Sequence, residues 1–441
     1  MTAPVVSPGL RPELARKIIW RLAPLLVLMY MFNQLDRANV GYASLTMNQD
    51  IGITLAQYGL GTSLFFLGYI LFEIPSNLCL HRFGARVWMA RIMITWGLIS
   101  AASCLISNAS WLYTARFALG VAEAGFFPGV VYFLTLWLPT RDRVWLMSLF
   151  IMAIPLTGML GAPVSTWLMQ EASLFGMSGW RSMLLLEALP ATLMGVAVLF
   201  WLPDSPQRCG WLSAAERNEI EQALAADARR LHNPMETSAS RVLRNPRVWA
   251  LGLVYFGINA TIISLLYFLP QVVKGFEATF NVKYSVFQVG QLTAIPFTAA
   301  IIAMALYGQY VRKRNFSVAF VAAPMIISAV ALASALYLNT PVQTLIAFSV
   351  GATGCFCSIS TFWQLPPRLL ADRAAAAGIA LITSIGVASG LFVGWFIGAV
   401  KDATGSFNLA MLVIAGFMTL SAILVLYLEG QRRAHLAPSN G

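Results

Sequence analysis

Charge is what this sequence has least of. Only 11% of its 441 residues are Asp, Glu, Lys or Arg, against 58% hydrophobic, where soluble globular chains run near 25% charged. That shortage excludes an ordinary soluble enzyme. Histidine is nearly absent too, at three residues (His81, His232, His435), and the five cysteines include Cys79, Cys104, Cys355 and Cys357 inside apolar runs, with Cys209 alone in a polar segment. No spacing of metal ligands, no disulfide framework and no Gly-rich phosphate loop after a strand can be drawn from these residues. The reading therefore expects no cofactor, no metal and no enzymatic activity. Residues 1–18 lack the apolar core and cleavage site of a signal peptide.

What the sequence does have is long apolar runs. They lie near 20–43, 56–78, 88–107, 111–138, 144–169, 181–202, 247–273, 287–311, 316–337, 341–366, 374–400 and 406–428, each near the ~20 residues needed to cross a bilayer. The expectation is an all-α polytopic membrane protein with twelve transmembrane helices in two six-helix halves. Its parts are a segment 1–19, bundles 20–202 and 247–428, a linker 203–246 and a tail 429–441. Ser213 with Glu216 in the linker signals a capped helix. Two packed repeats around a central site suit alternating access. No signalling domain, carbonyl-lined filter or pore charge ring supports the alternative of a receptor or channel.

The net charge of +11 would suggest nucleic acid in a soluble chain. Here its placement gives another answer. With the N-terminus inside, the outer loops hold only Arg181, Lys274, Lys283 and Lys401 of the 29 basic residues, two are intramembrane, and the remaining 23 flank the inner side. The positive-inside rule then puts both termini in the cytoplasm of a multi-pass protein of the cell inner membrane, with the lipid bilayer and not nucleic acid as its partner. A monomer is expected.

A charge at membrane depth costs about 2.5–3.5 kcal/mol on insertion scales, so each intramembrane charge calls for a reason. Asn33, Asp36 and Arg37 share a helical face in the first run. Arg116 and Glu123 stand two turns apart in the fourth with Gly120 between them, and Tyr69 and Glu73 are i, i+4 in the second. One reading is that Asp36–Arg37 and Arg116–Glu123 neutralise each other and only fix packing. The other is that an arginine binds a carboxylate bidentately while the acids carry protons. Glu73 and Glu187 are open between gating and structural pairing. The second half offers Asn259, Tyr267, Gln271, Gln288, Gln291, Ser360, Trp363, Gln364, Thr383 and Ser384, each either interhelical glue or a ligand contact. Phe126, Phe127 and Trp363 are candidate aromatic walls.

Leu-Asp-Arg-Ala-Asn (35–39), Glu-Ile-Pro-Ser-Asn-Leu-Cys-Leu-His-Arg-Phe-Gly-Ala-Arg (73–86) and Arg-Phe-Ala-Leu-Gly-Val-Ala-Glu-Ala-Gly-Phe-Phe-Pro-Gly (116–129) resemble the anion:cation symporter family of the major facilitator superfamily. So do Trp-Leu-Pro-Asp-Ser-Pro (201–206), Phe-Trp-Gln-Leu-Pro (362–366), Ala-Ala-Ala-Gly-Ile-Ala-Leu-Ile (375–382) and Lys-Asp-Ala-Thr-Gly-Ser (401–406). The resemblance implies proton symport of a small organic anion, with bacterial members taking sugar acids, tartrate, phthalate or hydroxyphenylacetate. It implies Asp36 and Glu123 as proton-coupling acids, Arg37 as the carboxylate ligand, Arg116 as the partner tuning Glu123, and Tyr69 as a pocket hydrogen-bonding residue. The sequence departs from the family pattern at Gln34, where relatives have tyrosine, and at Thr383 and Val387, where they have asparagine. Fewer amides lean the substrate toward an aromatic or sparsely hydroxylated carboxylate, with a sugar acid or tartrate as the alternative. The loop Tyr-Val-Arg-Lys-Arg-Asn (310–315) lacks the usual Asp-Arg, which calls the cytoplasmic latch of the second half into question.

Overall fold

The computed structural model describes residues 9–231, 244–314, 316–366 and 372–436. The expected segments 1–19, 203–246 and 429–441 fall partly outside these residues, and His232 lies outside them. Among the described residues the chain is helical with no strand. Before the linker run α1 (Pro12–Asp50), α2 (Leu55–Phe83), α3 (Ala85–Ala102), α4 (Ala109–Glu123), α5 (Phe126–Thr135), α6 (Thr140–Glu171) and α7 (Gly179–Trp201). Then follow α8 (Ala214–Leu231) in the linker and α9 (Pro246–Phe280), α10 (Val286–Arg312), α11 (Ala319–Ser334), α12 (Pro341–Phe362), α13 (Asp372–Thr404) and α14 (Asn408–Leu436).

Among the described residues, eleven helical segments are long and apolar enough to cross a membrane, α4 and α5 counting as one, and α11 is a shorter apolar helix that runs on into a 3₁₀ turn over Ala335–Tyr337. The fourth run is not the continuous helix its hydropathy suggests. It breaks at Ala124–Gly125, where Gly125 takes a left-handed φ of 84° and a Cβ would collide with the Ser76 side chain, so glycine is the residue that fits there. The break ends α4 on Glu123.

Helix starts are written locally. Thr54 with Gln57 and Ser285 with Gln288 form capping boxes at α2 and α10, the second helix of each half, and Ser213 with Glu216 does the same for α8, as the spacing predicts. The linker helix docks on the first half through Lys17–Glu216 and Arg11–Glu219, both 2.7 Å, and through Asp227, which accepts from the Thr140 hydroxyl at 2.8 Å. Asp204 of the 201–206 motif holds Arg86 at the α2–α3 turn at 3.2 Å.

The hydrogen bonds between the two halves lie from the end opposite the N-terminus to about mid-bundle. Asp402 at the end of α13 accepts from the free Ala56 N–H at the start of α2 at 2.7 Å, and Gln271 of α9 donates to Ser44 of α1 at 2.7 Å. Tyr58 of α2 donates to the Tyr267 carbonyl at 3.0 Å. Gly59 and Gly394 meet backbone to backbone, leaving no room for a Cβ on either, so α2 and α13 seal this end by direct helix contact. Nearer the opposite end, Arg37, Trp363, Thr383 and Ser384 keep solvent-accessible surface.

Candidate functional site

Helix periodicity brings Asn33 and Arg37 of α1 onto one carboxylate, Glu123 at the end of α4. The Nε–H of Arg37 donates to Glu123 Oε2 at 2.7 Å, and the Asn33 amide donates to the same oxygen at 2.8 Å. Glu123 is wholly buried while Arg37 keeps 21% of its side chain accessible, so the pair is approached from the arginine side. Glu123 Oε1 has no hydrogen-bond partner.

The pairing differs from both pairs considered from the sequence. Asp36 does not pair with Arg37. One residue around the helix, it faces away and accepts from the Ser100 hydroxyl of α3 and from Asn39, the latter at 3.3 Å, with no cation bonded to it among the described residues. Arg116 forms no ion pair with Glu123 either. The i, i+7 spacing put both on one face of α4, but Arg37 reaches Glu123 from α1 and Arg116 turns to the aromatic rings. Its guanidinium lies 4.8 Å from the centroid of Phe65 and 5.9 Å from that of Tyr267, and its Nε and Nη2 groups are buried with no hydrogen-bond partner. Arg37 stacks on Phe65 and Tyr69 at 5.2 and 5.0 Å. Phe65 therefore makes cation–π contacts with both guanidiniums. Gly120 makes it possible: a Cβ there would strike the Phe65 and Tyr69 backbone, so the close approach that its small size permits is to α2.

The aromatic candidates separate. Phe126 is fully buried against Trp96 and is core, whereas Phe127 meets Tyr30 at 5.7 Å. In the second half Trp363 packs edge-on against Tyr255 at 5.1 Å, and Gln364 is exposed. The hydroxyls of Thr383 and Ser384 donate to carbonyls of their own helix, to Ala380 at 2.8 and 3.0 Å. Asn259 bonds the Gly386 carbonyl across α9 and α13 at 2.8 Å, which is packing glue. Glu73 is half-buried at the outer edge of the cluster, and Glu187 accepts from Ser165 at 2.6 Å.

Phe65, Tyr30, Ser100 and Tyr255 went unread in the sequence. Phe65 had a signal, since it stands four residues before Tyr69 on one face of α2. Ser100 and Tyr30 had none, because serine and tyrosine in apolar helices are commonplace.

The sequence model described as the Major Facilitator Superfamily matches residues 26–394. A protein of Agrobacterium vitis named "putative tartrate transporter" is 40% identical, over 96% of this chain and 93% of its own length. The "putative metabolite transport protein NicT" of Pseudomonas putida is 38% identical over 94% of each chain. Among solved structures, the inward-open xylose transporter XylE of E. coli superposes with a TM-score of 0.72 at 17% identity, over 93% of this chain and 96% of that one, a likeness of fold.

Proposed function

The chain belongs to the major facilitator superfamily and is a multi-pass membrane transporter, not an enzyme, and on that premise we propose that it carries a small organic carboxylate together with protons. The observation that carries this reading is the unpartnered fork of Arg116. A buried guanidinium with two N–H groups unbonded is costly to keep, and a planar carboxylate is the group whose geometry satisfies it. With Arg37 paired to Glu123, the Arg116 guanidinium is the positive charge left for an anion to neutralise.

Coupling follows from who holds Arg37. In the present state Glu123 occupies it, standing where a substrate carboxylate would compete. A proton on Glu123 removes its charge and frees Arg37 for the substrate, so anion and proton bind together. Asp36, on the other side of α1, takes the second proton. The two halves rock against each other, and the contacts of α2 with α13 part when the sealed end opens, so the site opens to each side in turn. The distribution of basic residues supports both termini in the cytoplasm of the inner membrane, and the carrier works as a monomer.

Two substrate chemistries remain in view. Tyr69, Trp363 and Tyr255 favour an aromatic or sparsely hydroxylated acid, while the name of the A. vitis relative favours tartrate. Uptake into proteoliposomes of tartrate, gluconate and benzoate tests the reading. We expect one of them to accumulate under an inward proton gradient and to stop accumulating with a protonophore. Accumulation that needs ATP, or that ignores the protonophore, contradicts it.

A further inference from the structure

Glu187 of α7 takes no part in the cluster of Arg37, Glu123 and Arg116. Only 6% of its surface is exposed. Its Oε1 accepts from the Ser165 hydroxyl of α6 at 2.6 Å, and its Oε2 is buried with no partner. The polar groups that face it are Asp36 and Asn39 on α1, with Tyr42, one turn beyond Asn39, whose hydroxyl is buried and unpartnered. No arginine or lysine pairs with it among the described residues. Glu187 is thus a carboxyl at membrane depth with the Ser165 hydroxyl bonded to it, a second acid facing it and no cation paired with it among the described residues, a setting that burdens a buried charge.

Its position adds a direction. Glu187 lies eight residues from the start of α7 and Ser165 six from the end of α6, about 9–12 Å along the helices from the sealed end at 1.5 Å per residue. Asp36 lies deeper, toward the arginines. The acids thus form a file inside the first half, from the sealed end to the substrate cluster, that bypasses the contacts between halves.

We propose that Glu187 is a third proton-carrying site, a neutral acid that supplies Asp36 while the sealed end is closed to substrate. The O–H bond of Glu187 breaks, an O–H bond forms on Asp36, and Glu187 is reprotonated from the sealed end. Nothing else is consumed. The inference rests on the proton-coupled reading above.

Infrared spectroscopy of the detergent-purified full chain tests the charge state without any substrate. At neutral pH a protonated-carboxyl band is expected in the unmodified protein and its loss in Glu187→Gln, and identical spectra would overturn the proposal. In proteoliposomes, with whichever of tartrate, gluconate or benzoate the unmodified protein concentrates, Glu187→Gln should lower the rate of proton-driven accumulation by roughly a hundredfold or more, the scale on which a placed proton donor acts, while counterflow exchange persists. Normal accumulation by the variant refutes this inference alone, whereas failure of the unmodified protein to concentrate any of the three refutes the carrier reading and this inference with it. Ser165→Ala provides a second arm should the glutamine variant not fold. Removing the Ser165 donor makes the Glu187 proton harder to release, so the pH profile of uptake should move to higher pH, and an unmoved profile overturns the proposal.

Discussion

The two halves of this transporter share a helix plan and differ in chemistry. The first half buries Asp36, Arg116, Glu123 and Glu187 with Arg37 beside them, whereas the described spans of the second half place aromatic rings, amides and hydroxyls at comparable positions. Even the caps correspond, with a Thr54 box on α2 and a Ser285 box on α10. A shared helix plan with unequal charge separates two parts of the proposed mechanism: backbone close approach between the halves would serve the rocking, and the charged groups of one half alone would serve the proton coupling. The polar groups of the second half point the same way, since Asn259, Thr383 and Ser384 spend their donors on the protein's own carbonyls.

The largest effect should come from taking a charge out of the first half. Arg37→Ala removes a guanidinium that would hold the substrate carboxylate, a loss of about 2–5 kcal/mol for a truncated charge pair, so binding measured by calorimetry should fall roughly thirtyfold or more, and Glu123 left buried without its cation should lower the unfolding temperature. Arg116→Lys should also lose most binding, because an ammonium offers no planar fork, but without that destabilisation. Near-normal affinity in both variants would make the arginines packing residues and erase the contrast between halves.

Next come the acids. Glu123→Gln and Asp36→Asn should each exchange substrate in counterflow yet fail to accumulate it against a gradient. If both acids titrate, a monovalent carboxylate enters with net positive charge, which the membrane potential drives by about 2.3 kcal/mol per 100 mV. Solid-supported membrane recording should then show an inward positive current, lost in either variant. Electrically silent uptake by the unmodified protein would leave only one acid in the coupling.

A smaller change is expected in the second half. Trp363→Ala should weaken binding by about 0.5–1.5 kcal/mol, the scale of a lost aromatic contact, with coupling intact. Lost coupling in this variant would break the division of labour. The smallest effect belongs to the linker, where the Lys17 ammonium and the Ser213 N–H hold the Glu216 carboxyl below its ordinary range. A depressed carboxyl contributes stability above its unfolded value, near 4.3, that is lost as pH falls through the lower folded value. Lys17→Ala should therefore cost about 0.2–1 kcal/mol at pH 7, as exposed pairs do, and nothing in acid, as read by thermal unfolding at both pH values.

Hydropathy made the spans legible, and insertion cost made Asp36, Arg37, Arg116 and Glu123 legible as residues that need a reason. Which of them touch was not legible. Spacing along α1 says that Asn33, Asp36 and Arg37 lie on roughly one side, yet the 100° step between Asp36 and Arg37 sends one to Ser100 on α3 and the other to Glu123 on α4, and depth on a neighbouring helix is not encoded locally. The break at Ala124–Gly125 was equally hidden from hydropathy, because an apolar run reads the same whether or not a left-handed glycine interrupts it.

The exchange of Glu123 for a substrate carboxylate on Arg37 is tested most directly by the pH dependence of binding. Calorimetry of the bound carboxylate should show affinity falling as pH rises in the unmodified protein, since anion and proton bind together, and a flattened, at least equally tight profile in Glu123→Gln, whose amide already leaves Arg37 free of a charged rival. A Glu123→Gln variant that binds with the unmodified protein's full pH dependence would contradict the account.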